Sequence, residues 1–61
     1  MDKKLKIEEF EERLREIKAE MKMFLFIAER RKYEKGITEK QINHYLDLIN
    51  AINNIIEELN K

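Results

Sequence analysis

Two runs of apolar residues at heptad spacing, separated by one short interruption, constrain the fold of this chain more than any other feature. Apolar positions alternate in steps of three and four before residues 36–38, and the same stepping resumes after them. This spacing is typical of amphipathic helices that bury a narrow stripe. The sequence therefore predicts an all-α antiparallel two-helix hairpin. Its stripe positions are Ile7, Phe10, Leu14, Ile17, Met21, Phe24 and Ala28, then Ile42, Tyr45, Ile49, Ile52, Ile56 and Leu59.

The interruption contains signals that end one helix and begin the next. Gly36 is the only glycine of the chain, and glycine directly after a helix commonly adopts the left-handed conformation that terminates it. Thr38 followed by Gln41 fits an N-terminal capping box. We therefore predict helices over about 2–35 and 39–60, joined by a tight turn in one domain. Asp2 is a suitable N-cap for the first helix.

A turn at Gly36 would leave core-type residues of the first helix uncovered. Ile56 would lie opposite Ile17, so Ile7 and Phe10 would extend beyond the second helix. A chain of 61 residues without cysteine has few other means of stabilising a small core. The pattern thus predicts a homo-oligomer, most simply a dimeric four-helix bundle, with the tetramer left open. The predicted oligomer interface comprises Ile7, Phe10, Leu14, Leu48, Ile52, Ile55 and Leu59.

Composition argues against several functional classes. Thirteen basic residues balance thirteen acidic ones, so no overall field attracts the chain to nucleic acid or anionic membranes. The longest apolar run, residues 23–28, is far shorter than the roughly 20 residues of a membrane-spanning helix. The sequence contains no metal-binding, phosphate-binding or catalytic motif, and we expect no cofactor. These observations favour a cytoplasmic, non-enzymatic protein-protein interaction module or regulator.

Two exposed surfaces could bind partners. Residues 23–28 are apolar around the whole helix, and Met23 and Phe26 point away from the predicted stripe. An exposed apolar pair of this kind is typical of a protein-binding patch, although another helix of the oligomer could also cover it. The second surface is the turn end, where basic residues cluster. The alternative function is therefore a nucleic-acid-binding regulator, whose contacts would be Arg30, Arg31, Lys32, Lys35 and Lys40.

The segment Asn43-His44-Tyr45-Leu46-Asp47 suggests a third function. In size and hairpin form the chain resembles the small sporulation phosphatases that act on response regulators. Those proteins carry a Ser-Gln-x-Leu-Asp motif on the second helix, and this chain retains Leu46 and Asp47 of it. Asn43 and His44 replace the Ser and Gln. The resemblance implies phosphatase activity, whereas the heptad position of His44 indicates an exposed helix histidine.

Overall fold

The computed structural model describes residues 2–61, which form two helices. Helix α1 spans Lys3–Arg31, with 29 residues, and α2 spans Lys35–Leu59, with 25 residues. The helices pack against each other as an antiparallel hairpin that measures 46 × 16 × 11 Å. At 1.5 Å of rise per residue they are about 43 and 37 Å long. The predicted all-α hairpin is confirmed.

The heptad stripes of the two helices form the contact between them. Every predicted stripe position is buried or half-buried. Ile17, which is 2% exposed, lies at the centre of the core with Leu14 and Ile49. The surrounding stripe residues that pack against this centre are Met21, Tyr45, Ile52 and Ile56. The core is therefore a single row of side chains between two helices.

Helix α1 begins where the sequence predicted but ends earlier. The Asp2 side chain accepts a hydrogen bond from the Lys4 amide at 3.0 Å, which confirms it as the N-cap. At the other end Lys32, with φ 55° and ψ 50°, adopts the left-handed conformation. Its amide donates to the Glu29 carbonyl, and the Tyr33 amide donates to the Ala28 carbonyl at 2.9 Å. This pair of bonds is a Schellman motif with lysine in the usual glycine position.

The predicted turn at Gly36 is therefore wrong. Gly36 is the second residue of α2 and has no positive φ. The predicted capping box at Thr38 is also wrong, because the N-cap is Glu34. Instead, Thr38 donates both its amide and its hydroxyl to the Glu34 carbonyl, at 3.0 and 3.1 Å. The connection consists of residues 32–34, between the ends of the two helices.

The character of the next stripe positions explains the earlier end of α1. After Ala28 the stripe would continue through Arg31 and Lys35, which are charged. Ending the helix at Arg31 instead brings the Tyr33 ring to 6.1 Å from the Phe24 ring. This ring contact offsets part of the conformational cost of a left-handed lysine, while Tyr33 remains 41% exposed.

Moving the turn changes the register of the hairpin. With Tyr33 at the centre of the connection, Ile49 lies opposite Ile17 in the core, where the sequence had predicted Ile56. At the open end the Lys3 ammonium donates to the backbone carbonyl of Lys61 at 3.1 Å. The second helix thus extends back to the start of the first. The prediction that Ile7 and Phe10 overhang α2 is wrong, because both are half-buried within the hairpin.

We expect the Gly36→Ala substitution to stabilise the protein by about 0.4–1 kcal/mol, because alanine restricts the unfolded chain more than glycine does. A Cβ atom at this helical position would meet no atom within 4 Å. Urea denaturation followed by circular dichroism provides the measurement. A loss of stability would indicate that Gly36 has a positive φ, and would contradict its position inside α2.

Candidate protein-interaction surfaces

A second row of residues runs along α2 beside the row that contacts α1, about a quarter-turn around the helix. Its large apolar members, Ile37, Leu48 and Ile55, are 58%, 37% and 40% exposed. Gln41, His44 and Ala51 occupy the positions between them, so that successive members are four or three residues apart. We name this row the α2 stripe, and define it as Ile37, Gln41, His44, Leu48, Ala51 and Ile55. Its spacing matches a coiled-coil seam, and within residues 2–61 every member except the half-buried Gln41 is exposed.

The structure divides the predicted oligomer interface between two sides of the hairpin. Leu48 and Ile55 belong to the exposed α2 stripe. The other predicted residues contribute to the contact between α1 and α2, where Leu14 is buried and Ile7, Phe10, Ile52 and Leu59 are half-buried. The sequence pattern had placed Leu48 and Ile55 in one row with Ile52 and Leu59. The heptad spacing from Ile37 to Ile55 was the signal that would have separated them.

Met23 and Phe26 form a second apolar surface, on the outer side of α1. They are 68% and 64% exposed, as expected from their position away from the core. Phe26 also lines a shallow surface depression together with Glu29 and Arg30. We name Met23 and Phe26 the outer patch. It lies on α1, whereas the α2 stripe lies on the other helix.

The turn end carries the predicted nucleic-acid contacts and an apolar groove. All five basic residues are exposed, but the Lys35 ammonium lies 4.0 Å from the Glu39 carboxylate. Glu29 and Glu39 border the groove beside Lys32 and Lys35, so acidic groups interrupt the basic surface. Nucleic-acid binding stays a prediction. The groove has a volume of about 880 Å³, and its apolar lining consists of Leu25, Ala28, Tyr33 and Ile42.

His44 and Asp47, the candidate phosphatase residues, are both exposed. The His44 ring lies 6.4 Å from the Tyr45 ring. Within residues 2–61, no group of three or more acidic, histidine or cysteine side chains is arranged to hold a metal ion. The structure does not test the third function, phosphatase activity, for which Leu46 and Asp47 are the retained motif residues.

Among residues 2–61, neither helix has an apolar stretch long enough to cross a membrane. Comparison of the chain with protein-family models, curated proteins and solved structures gives no match.

Proposed function

We propose that this protein is a non-catalytic protein-protein interaction module. Two hairpins stack through the α2 stripe into a dimeric four-helix bundle. The outer patch, formed by Met23 and Phe26, remains on the outside of the dimer and binds another protein.

The main support is the large surface that the single hairpin leaves exposed. Its accessible area is 5259 Å², whereas a compact monomer of 7.5 kDa is expected to expose about 4,200 Å². Its radius of gyration is 14.3 Å, against about 10.5 Å for a compact domain of this length. The smallest dimension, 11 Å, equals the thickness of one helix layer. A second hairpin packed on the first would cover the excess surface and add a second row of apolar contacts to the small core.

The lengths of the two apolar surfaces support a different kind of partner for each. The α2 stripe covers residues 37–55, about 27 Å of helix, and suits a long contact with another helix. The outer patch covers a single helical turn, where Met and Phe combine adaptability with a large apolar area. A short patch of this type is suited to a compact binding site on a partner protein.

Sedimentation equilibrium at micromolar concentration tests the proposed dimer. We expect the unchanged protein to sediment as a dimer and the Leu48→Glu/Ile55→Lys variant as a monomer, because the variant places charges in the buried seam. The matched control is Met23→Lys/Phe26→Glu, which adds the same two charges at the outer patch. We expect this control to remain dimeric. A monomeric unchanged protein, or a control that dissociates while the stripe variant does not, would contradict the proposal.

The control variant also tests the outer patch. Proteins captured from an extract of the source cell by the unchanged dimer are compared with those captured by Met23→Lys/Phe26→Glu. We expect at least one abundant partner to be lost, because charges at the patch prevent its apolar surface from being buried. Retention of every captured protein by a dimeric variant would exclude the outer patch as the binding site.

A further inference from the structure

We propose that α2 packs antiparallel against α2 of a second copy, about a two-fold axis that passes the helix at the level of Leu46. This inference rests on the self-association proposed above and specifies its geometry. It pairs Ile37 of each copy with Ile55 of the other copy.

The order of residues in the α2 stripe is symmetric about this level. Ile37 and Ile55 are equally distant from position 46, and the same is true of Gln41 and Ala51 and of His44 and Leu48. The next stripe residue along the chain is either four or three positions away. In an antiparallel coiled coil, residues of the first kind pack against residues of the second kind. Ile37 and His44 are of the first kind, and Leu48 and Ile55 are of the second. A two-fold contact requires such self-complementarity, because the same surface serves both partners.

The available area is sufficient for a stable dimer. Each hairpin exposes 5259 Å², roughly 1,000 Å² more than a compact monomer of its mass. Burial of that excess on both copies would give an interface of about 2,000 Å², within the range of stable protein-protein interfaces. The symmetric arrangement places an apolar pair at each end of the contact and sets the polar Gln41 and His44 against Ala51 and Leu48 of the other copy.

Charge along the hairpin favours the antiparallel arrangement over the parallel one. The turn end, residues 29–40, contains five basic and three acidic residues. The open end, residues 2–12 and 57–61, contains seven acidic and four basic residues. Antiparallel stacking brings the basic end of each copy beside the acidic end of the other, whereas parallel stacking would bring like charges together.

Disulfide trapping tests this geometry directly, because the natural chain contains no cysteine. Ile37→Cys and Ile55→Cys are prepared separately, mixed under reducing conditions and oxidised in a glutathione redox buffer. We expect the mixture to give the 37–55 disulfide as the dominant cross-linked product. Each variant alone should give no disulfide dimer, since its two cysteines lie at opposite ends of the contact. Leu46→Cys, at the same level as the axis but on another side of α2, is the control and should not cross-link.

The outcomes separate this inference from the proposed function. Disulfides between like positions, 37 with 37 or 55 with 55, would show a parallel contact and overturn the inference. A dimer in sedimentation equilibrium that forms no 37–55 disulfide would also overturn it, while leaving self-association intact. A monomer would overturn both. Circular dichroism of each variant confirms that the hairpin is folded, and the pair His44→Cys with Leu48→Cys repeats the test at the next layer.

Discussion

We expect Ile17→Ala to remove most of the net stability of the protein at 25 °C. Ile17 is 2% exposed and lies at the centre of the core with Leu14 and Ile49. Truncation of a buried isoleucine to alanine costs about 2–5 kcal/mol, and a domain of this size has only about 3–5 kcal/mol of net stability from its core. Thermal and urea denaturation at one fixed protein concentration provides the measurement, because association also contributes to stability.

Leu5→Ala is the matched control for this prediction. Leucine and isoleucine lose the same number of carbon atoms on truncation, but Leu5 is 57% exposed on the outer side of α1. We expect the control to change the free energy of unfolding by less than about 0.5 kcal/mol. Equal losses in the two variants would mean that Ile17 is not at the centre of the core.

Position 32 should respond in opposite directions to proline and to glycine. Proline cannot adopt the φ of 55° found at Lys32, and it lacks the amide that donates to the Glu29 carbonyl. We expect Lys32→Pro to cost about 3 kcal/mol or more. Lys32→Gly should instead raise stability by up to about 1 kcal/mol, because glycine relieves the left-handed strain. Urea midpoints of the two variants measured against the unchanged protein provide the test.

These two substitutions also locate the turn. If the connection lay at Gly36, Lys32 would be inside α1, where glycine is destabilising by about 1 kcal/mol. The sign of the Lys32→Gly effect is therefore the informative result. A destabilising glycine would contradict the turn at residues 32–34.

The pairing of two amphipathic helices was predictable from the sequence because heptad periodicity is a local property. Each residue of the predicted stripe is buried or half-buried in the hairpin. Asp2 was predictable as a cap for the same reason, since its hydrogen bond reaches only two residues along the chain. Exposure of Met23 and Phe26 followed from their position on the helix relative to the stripe.

The position of the turn could not be predicted from local signals, because two sites for the left-handed residue, Lys32 and Gly36, were possible. Gly36 and Thr38 resembled the end of one helix and the start of the next, yet both lie inside α2. The structure places the left-handed residue at Lys32, where Tyr33 can pack against Phe24. That contact forms only when the chain leaves the helix after Arg31 and folds back beside Phe24, so the local glycine signal could not reveal it.

The α2 stripe likewise combines a feature that local periodicity predicts with one that depends on packing. The spacing of apolar residues already predicted that α2 carries them on more than one side, including Leu48, Ile52 and Ile55. Packing of the two helices selects which of them contact α1: Ile52 packs against the core, while Leu48 and Ile55 remain exposed with Ile37. A helix can rotate about its axis to bury either row, and the choice depends on the register and packing of the opposing helix, which the local pattern of α2 does not contain.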